Sequence, residues 1–417
     1  MGDEVSMSAD VTAFDLPESS EYTKIPYGKL GIIALQGTEE FAKKIDSYIV
    51  KWRKENVANS TSSLNIEGYE KESYIVDVSC PRFGSGEGKA VINQTVRGYD
   101  IFILVDVFNY GVKYKMYGQE VPMSPDDHFA NLKRVISAIG GKAHRITVVM
   151  PMLYEGRQHK RSSRESLDCA MALQELVAMG VDSLITFDAH DPRVQNSITL
   201  NGFENISPIY QMIKALIKSS PDIDFNPENM MVVSPDEGGM GRAIHYATVL
   251  GVELGMFYKR RDYTRIVDGR NPILAHEFLG TNVEGKDIII VDDMISSGES
   301  MLEVAAKLKG LGANRIYVCT CFGLFCNGLE IFDEAQKNGI ITKVLTTNLV
   351  YRTPELKERT WYTEVEMSKY VALLIDTINH DISISSLLDP SEKIHNILEH
   401  HEAELAKKSG AQMDLGI

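Results

Sequence analysis

The chain has 417 residues, 44% hydrophobic and 24% charged, which is ample material for two or three packed domains of ordinary composition. Its formal net charge of -15 argues against a nucleic-acid partner held by a general basic surface, because such binding needs clustered Lys and Arg. No apolar run reaches the ~18 residues of a membrane span, and the polar N-terminus lacks a secretory pattern. Five cysteines without a disulfide framework fit reduced thiols, so a cytoplasmic protein with neither nucleic-acid nor membrane partners is expected.

Residues 1–25 are polar and irregular and read as a loosely held arm. Apolar, β-branched runs at 30–35, 74–78, 101–105, 146–150 and 184–187 read as strands, with amphipathic helices at 39–54, 128–139 and 165–179. The pattern repeats with strands at 231–234, 253–258, 287–291 and 315–319 and helices at 239–250 and 300–311. Short strands alternating with helices predict an α/β fold of two mainly parallel sheets flanked by helices, dividing near residues 190–205. The Ser/Asn-rich 56–69 reads as a loop, and 110–127 as an insertion ahead of a helix starting near Pro125. Residues 390–406 read as a charged amphipathic helix. Cys319, Cys321 and Cys326 read as buried structural thiols rather than zinc ligands, because two of them lie two residues apart on one predicted strand.

The most informative stretch is 288–300, IIIVDDMISSGES: an apolar strand, two adjacent carboxylates, then a Ser/Gly turn opening a helix. A helix N-terminus offers unpaired N–H donors and partial positive charge to an anion. Ser296, Ser297 and Ser300 add hydroxyl donors, Gly298 permits close backbone approach, and Asp292 and Asp293 can accept hydrogen bonds from neighbouring ribose hydroxyls. This is the chemistry of a sugar-phosphate site, although a buried strand followed by an ordinary helix cap carries the same residues. Lys259, Arg260 and Arg261 follow another predicted strand and suit phosphate oxygens, or a solvated surface. The loop GRQHKRSSR at 156–164 collects Arg157, Lys160, Arg161 and Arg164, as a polyphosphate-closing loop or an exposed turn would. His190 in FDAHDP and Asp236 in VSPDEGG are further strand-end candidates, for a metal-nucleotide or, in the case of Asp236, for an N-cap. The glycine-rich GSGEGKA at 84–90 departs from GxxxxGK[ST] and is not a phosphate loop of that type; HExxH, paired CxxC and GxSxG are absent.

Taken in order, PRFGSGEGKAVINQTVRGYDIFI, the Arg157–Gln158 pair, FDAHDP, VVSPDEGG, Lys259 to Arg261 and VDDMISSGES make the chain resemble the ribose-phosphate pyrophosphokinases over most of residues 28–385. The resemblance implies two tandem phosphoribosyltransferase-like domains, 26–200 and 201–385, between the arm and a helical tail at 386–417. It further implies ATP as diphosphate donor, ribose 5-phosphate as acceptor and magnesium as cofactor. Carried onto this chain, Asp292 and Asp293 hold the ribose hydroxyls and Ser296, Ser297, Gly298 and Ser300 the 5-phosphate. Arg157, Gln158 and His190 contact ATP, His190 and Asp236 assist the metal, and Lys259 and Arg261 stabilise the transition state. Phe83, Ser85 and Glu87 would reach the adenine from a neighbouring subunit, in a homo-oligomer of dimers building to a hexamer. Two departures stand out: Glu299 and Ser300 replace Gly-Thr of the usual Asp-Thr-Gly-Gly-Thr turn, and His159 replaces the usual Asp after Arg-Gln. A carboxylate facing the phosphate would repel it, so Glu299 is expected to point outward unless the acceptor differs. A phosphoribosyltransferase shares the acidic strand and turn, and a non-catalytic synthetase-associated subunit is the rival from another class.

Overall fold

The computed structural model describes residues 25–59, 66–261 and 273–414, except the side chains of 59, 259–261, 273–276 and 408–414. All but the last residue of the expected N-terminal arm lies outside the described residues. Five parallel strands form the first sheet in simple chain order: Lys29–Ala34, Tyr99–Leu104, Arg145–Val149, Ser183–Phe187 and Gly202–Ile206. The second sheet runs Ile273–Leu279, Glu253–Arg261, Met230–Ser234, Asp287–Ile295, Ile316–Gly323, Lys343–Thr347 and Tyr362–Val365. Only its outermost Ile273–Leu279 strand is antiparallel to its neighbour. The α/β expectation, two mainly parallel sheets flanked by helices, is what the molecule shows.

Strand alternation explains why these runs are apolar throughout, since successive side chains leave opposite faces and both faces are covered. Ile32, Phe102 and Leu104 of the first sheet and Met230, Val232, Ile289 and Val291 of the second enter one shared core. Their neighbours Ile33, Ile101 and Ile103, and Met231, Val233, Ile288 and Ile290, enter separate cores on the outer faces. The two units are therefore joined through buried apolar surface. Helix Glu39–Asn59 packs against helix Ser368–Asn379 across that junction, and helix Ser391–Asp414 lies on helices Ile209–Ser219 and Met240–Leu250.

Several boundaries differ from the sequence reading. Helix Glu39–Asn59 runs beyond 54 into the segment read as a loop, after Ile45, Ile49 and Trp52 have laid down a buried stripe at helical spacing. The expected strand at 74–78 is reduced to a single bridge, Ile75 to Ile32, beside the two-residue strand Val78–Ser79. Helix Asp168–Ala178 starts three residues late, because Ser162 and Ser166 bond Glu165 and Asp168 locally and compete with helical geometry. The insertion at 110–127 contains a hairpin of Lys113–Met116 and Gln119–Pro122. Strand Gly202–Ile206 pairs with Ser183–Phe187 and completes the first sheet, so the division between the sheets falls after Ile206. Cys319 and Cys321 are buried as expected, whereas Cys326 is exposed.

A buried polar seam fixes helix Ser368–Asn379 to the first unit. Arg53 Nη2 donates to Asp376 Oδ1 at 2.7 Å and to Asn379 Oδ1 at 2.7 Å, while Asn379 Nδ2 donates to Asp100 Oδ2 at 2.9 Å. The Arg53 and Asp376 side chains are 1% and 0% exposed, so neither charge has water to fall back on. Replacing Asp376 by Ala strands the guanidinium and should cost about 3–5 kcal/mol, read as a lower urea midpoint; the double variant R53M/D376L should recover most of it.

Candidate active site

The site lies where the two sheets present the carboxyl ends of their strands. In the second sheet the chain order reverses between Met230–Ser234 and Asp287–Ile295, and a crevice beyond the strand ends at such a reversal is where open α/β sheets bind ligands. Asp292 and Asp293 sit inside the last part of the Asp287–Ile295 strand, which continues because Met294 and Ile295 still pair with Phe322 and Gly323. The turn 296–298 then opens helix Glu299–Gly310, whose N-cap is Gly298 with no side-chain capping bond. Gly298 has φ +91°, and a Cβ there would stand 2.3 Å from the buried Phe332 ring, so only glycine fits. Glu299 is exposed and accepts from Asn327 Nδ2 at 3.3 Å, which tethers its carboxylate at the start of the helix, where the dipole favours it. Ser297 is half-buried and Ser300 exposed.

Both units contribute to one ionic cluster. Arg242 Nε donates to both oxygens of Asp188 at 2.8 Å, and Arg242 Nη1 reaches Asp292 Oδ1 at 3.5 Å. His190 Nδ1 lies 2.8 Å from Asp293 Oδ2, and the Asp293 amide donates to Asp292 Oδ1 at 2.9 Å. Burial and the neighbouring Asp293 charge push the Asp292 carboxyl well above the ordinary carboxylate range. Burial also works against the Asp293 charge, yet the His190 hydrogen bond and the Arg242 charge overcome it and hold that group below its ordinary value. Burial opposes the Arg242 charge as well, and the surrounding carboxylates outweigh it. Asp188 adopts φ +40°, a strained conformation for a non-glycine residue of the kind that collects at functional sites.

The loop at 156–164 closes onto this cluster. Arg157 Nη1 reaches Ser296 Oγ at 3.5 Å, joining the basic loop of the first unit to the phosphate-type turn of the second. Gln158 Nε2 donates to the Ser166 carbonyl at 2.9 Å, and Lys160, Arg161 and Arg164 are exposed. His159, at the position where the family commonly has Asp, places Nε2 3.3 Å from Asp191 Oδ2 and its ring 5.4 Å from that of His190. A cavity of about 150 Å³ is lined from both units by Arg157, Asp188, His190, Asp293 and Phe322.

The remaining sequence candidates lie on three other segments. Asp236 Oδ1 accepts from the Gly238 and Gly239 amides at 2.9 and 3.3 Å, so it shapes the turn before helix Met240–Leu250. Phe83, Ser85 and Glu87 are exposed on a turn with no described contact to the cluster. Lys259 and Arg261 end the Glu253–Arg261 strand, and their side chains lie outside the described residues. Arg242 was not found by sequence reading. Its signal was faint but physical: a cation in the first turn of helix Met240–Leu250 opposes the helix dipole and needs carboxylates to hold it there.

Two outcomes follow. Arg242→Ala removes the charge that positions Asp188 and Asp292 and should lower kcat/KM on the order of 10²-fold, with Arg242→Lys recovering only part because it lacks the fork. The Asp293 hydrogen bond, with burial opposing, raises the His190 pKa above its ordinary 6.5. The pairing therefore stabilises fully below pH 6.5 and is lost as pH rises through the folded-state value. Histidine NMR titration should show that raised value and its fall in Asp293→Asn.

Sequence families and known structures place the chain as a whole. The family model for the N-terminal domain of ribose phosphate pyrophosphokinase matches residues 30–180, and that for the phosphoribosyl transferase domain matches 201–335. Ribose-phosphate pyrophosphokinase of Vibrio parahaemolyticus is 28% identical over 317 residues, spanning 75% of this chain and 91% of that protein. The Shewanella oneidensis enzyme of the same name is 29% identical over 315 residues, spanning 75% and 90%. Phosphoribosylpyrophosphate synthetase from Mycobacterium smegmatis shares the fold, with a TM-score of 0.66 at 20% identity over 85% of this chain and 99% of that one. With both of its units matched in order and its acidic strand, phosphate-type turn and basic loop meeting in one crevice, this chain belongs to the ribose-phosphate pyrophosphokinase family.

Proposed function

We infer that the protein transfers the diphosphate group of ATP to the anomeric hydroxyl of ribose 5-phosphate, giving phosphoribosyl pyrophosphate and AMP. The observation that carries this reading is the approach of Arg157 to Ser296, which brings a polyphosphate-type loop and a sugar-phosphate turn into one site. The 5-phosphate takes the uncapped N-terminus of helix Glu299–Gly310, with Ser296, Ser297, Gly298 and Ser300 as donors. Asp292 and Asp293 accept hydrogen bonds from two ribose hydroxyls, a role supported by their firm placement under Arg242 and His190. Arg157, Gln158 and His190 meet the nucleotide phosphates, while Phe83, Ser85 and Glu87 take the adenine from a neighbouring subunit. Assembly as dimers building to a hexamer is thus part of the reading, as is a cytoplasmic location. The five unpaired cysteines support the latter, and among the described residues no helix is long and apolar enough to cross a membrane.

In the reaction, the anomeric hydroxyl gives up its proton to solvent as its oxygen bonds to the β-phosphorus, and the bond from that phosphorus to the bridging oxygen breaks, that oxygen leaving with AMP. Alignment and charge neutralisation supply most of the barrier reduction, with Lys259, Arg261 and Arg157 assigned to the developing charge. Magnesium fits as a passenger of the nucleotide, because it characteristically keeps phosphate and water ligands and needs few from the protein. His190 and Asp236 would then hold it, and when bound it would neutralise the phosphate oxygens. Incubation with ATP, ribose 5-phosphate and magnesium but no nucleobase should release AMP; its absence would return the protein to the phosphoribosyltransferases. Lys259→Ala should lower turnover by about 10²-fold or more while leaving ribose 5-phosphate binding nearly intact, and unchanged turnover would remove its assigned role.

A further inference from the structure

We propose that the 113–122 hairpin is a positioning element for the donor base, holding the 83–87 turn in its binding shape. The proposal rests on the reading that Phe83, Ser85 and Glu87 take the adenine. The hairpin is well specified: Met116 pairs with Gln119 around Tyr117 and Gly118, whose φ values of +48° and +78° are those of a type I′ turn. Among the described residues its two strands pair with no third strand, and isolated hairpins are marginal, so its stability depends on what it packs against. That partner is the 83–87 turn. The Tyr117 amide donates to the Gly84 carbonyl at 2.8 Å. Gly86, at φ +96°, lies so close to the hairpin that a Cβ would stand 2.7 Å from Met116 Sδ. The Arg82 guanidinium sits 4.7 Å from the Tyr114 ring centre, donates to the Gly86 carbonyl at 3.1 Å and pairs with Asp127 at 3.3 Å.

Along the turn, Arg82, Gly86 and Gly88 are half-buried while Phe83, Gly84, Ser85 and Glu87 are exposed. The hairpin thus holds the turn at Arg82, Gly84 and Gly86 and leaves the side chains assigned to recognition open. The turn closes on itself through Phe83 N–H to the Glu87 carbonyl at 2.7 Å, Gly86 N–H to the Phe83 carbonyl at 2.9 Å and the Ser85 hydroxyl to the Glu87 carboxylate at 2.8 Å. With Gly84, Gly86 and Gly88 in so short a span it has little stiffness of its own. A brace that orders it during folding spares that entropy at nucleotide binding, which acts on affinity for the donor and not on the chemistry.

The test is steady-state kinetics of the full-length protein carrying Tyr114→Ala with Met116→Ala, beside Phe83→Ala. The hairpin variant should raise KM for ATP about tenfold and blunt discrimination between ATP and GTP, with kcat and KM for ribose 5-phosphate within about threefold. Tyr114→Phe, which keeps the ring over Arg82, should stay near the parent; Met116→Ala alone, a milder probe if the double variant folds poorly, should shift KM for ATP about threefold. An unchanged KM for ATP in the hairpin variants, with a raised one in Phe83→Ala, would overturn the proposal and leave the base contact standing. An unchanged KM for ATP in Phe83→Ala would remove the base-contact reading and the hairpin's role together. A uniform fall in kcat with every KM unmoved would show the hairpin to be merely structural and also overturn the proposal.

Discussion

The site depends on Arg242, a largely covered cation gripping Asp188 of one unit and reaching Asp292 of the other. Several carboxylates at adjoining strand ends would repel one another and take up protons in an apolar crevice. One guanidinium among them, with His190 on Asp293, keeps the group compact and favours the charged form of Asp293. Because the partners come from both sheets, the cation also fixes how the sheets' carboxyl ends face each other. Arg serves here where Lys would not, since a planar fork satisfies two acceptors at once.

Around that point the molecule is stiff where alignment matters. The shared core between the sheets and the Arg53–Asp376 seam hold the two units together without consuming any group that a substrate would need. The phosphate-type turn is equally constrained, since Gly298 is wedged against Phe332. Glu299, troubling as a bare letter in the sequence, is tied to Asn327 at the helix start. His159 extends the logic to the basic loop, linking it to Asp191 beside the cluster.

The site divides into parts that were legible in one dimension and parts that were not. Asp292, Asp293 and the Ser/Gly turn were legible because strand, carboxylates, turn and helix start are contiguous and each obeys a local rule. His190 was legible as a strand-end histidine, but its bond to Asp293, 103 residues away, was not. Arg242 was passed over because nothing within its own helix requires it; its partners lie 54 and 50 residues distant.

Amphipathic period and β-branched runs by themselves determined the α/β class, most of the central strands and the position of the acidic strand and its turn, because those properties reside in neighbours along the chain. Only the tertiary structure decided that the two sheets share a core, that Gly202–Ile206 completes the first of them, and that the insertion at 110–127 folds back as a brace on the 83–87 turn. It also set His190 and Arg242 around two adjacent aspartates. The reason is the same in each case: burial, strand pairing beyond nearest neighbours and low-dielectric charge pairing are set by residues far apart in the chain, and no local pattern records them.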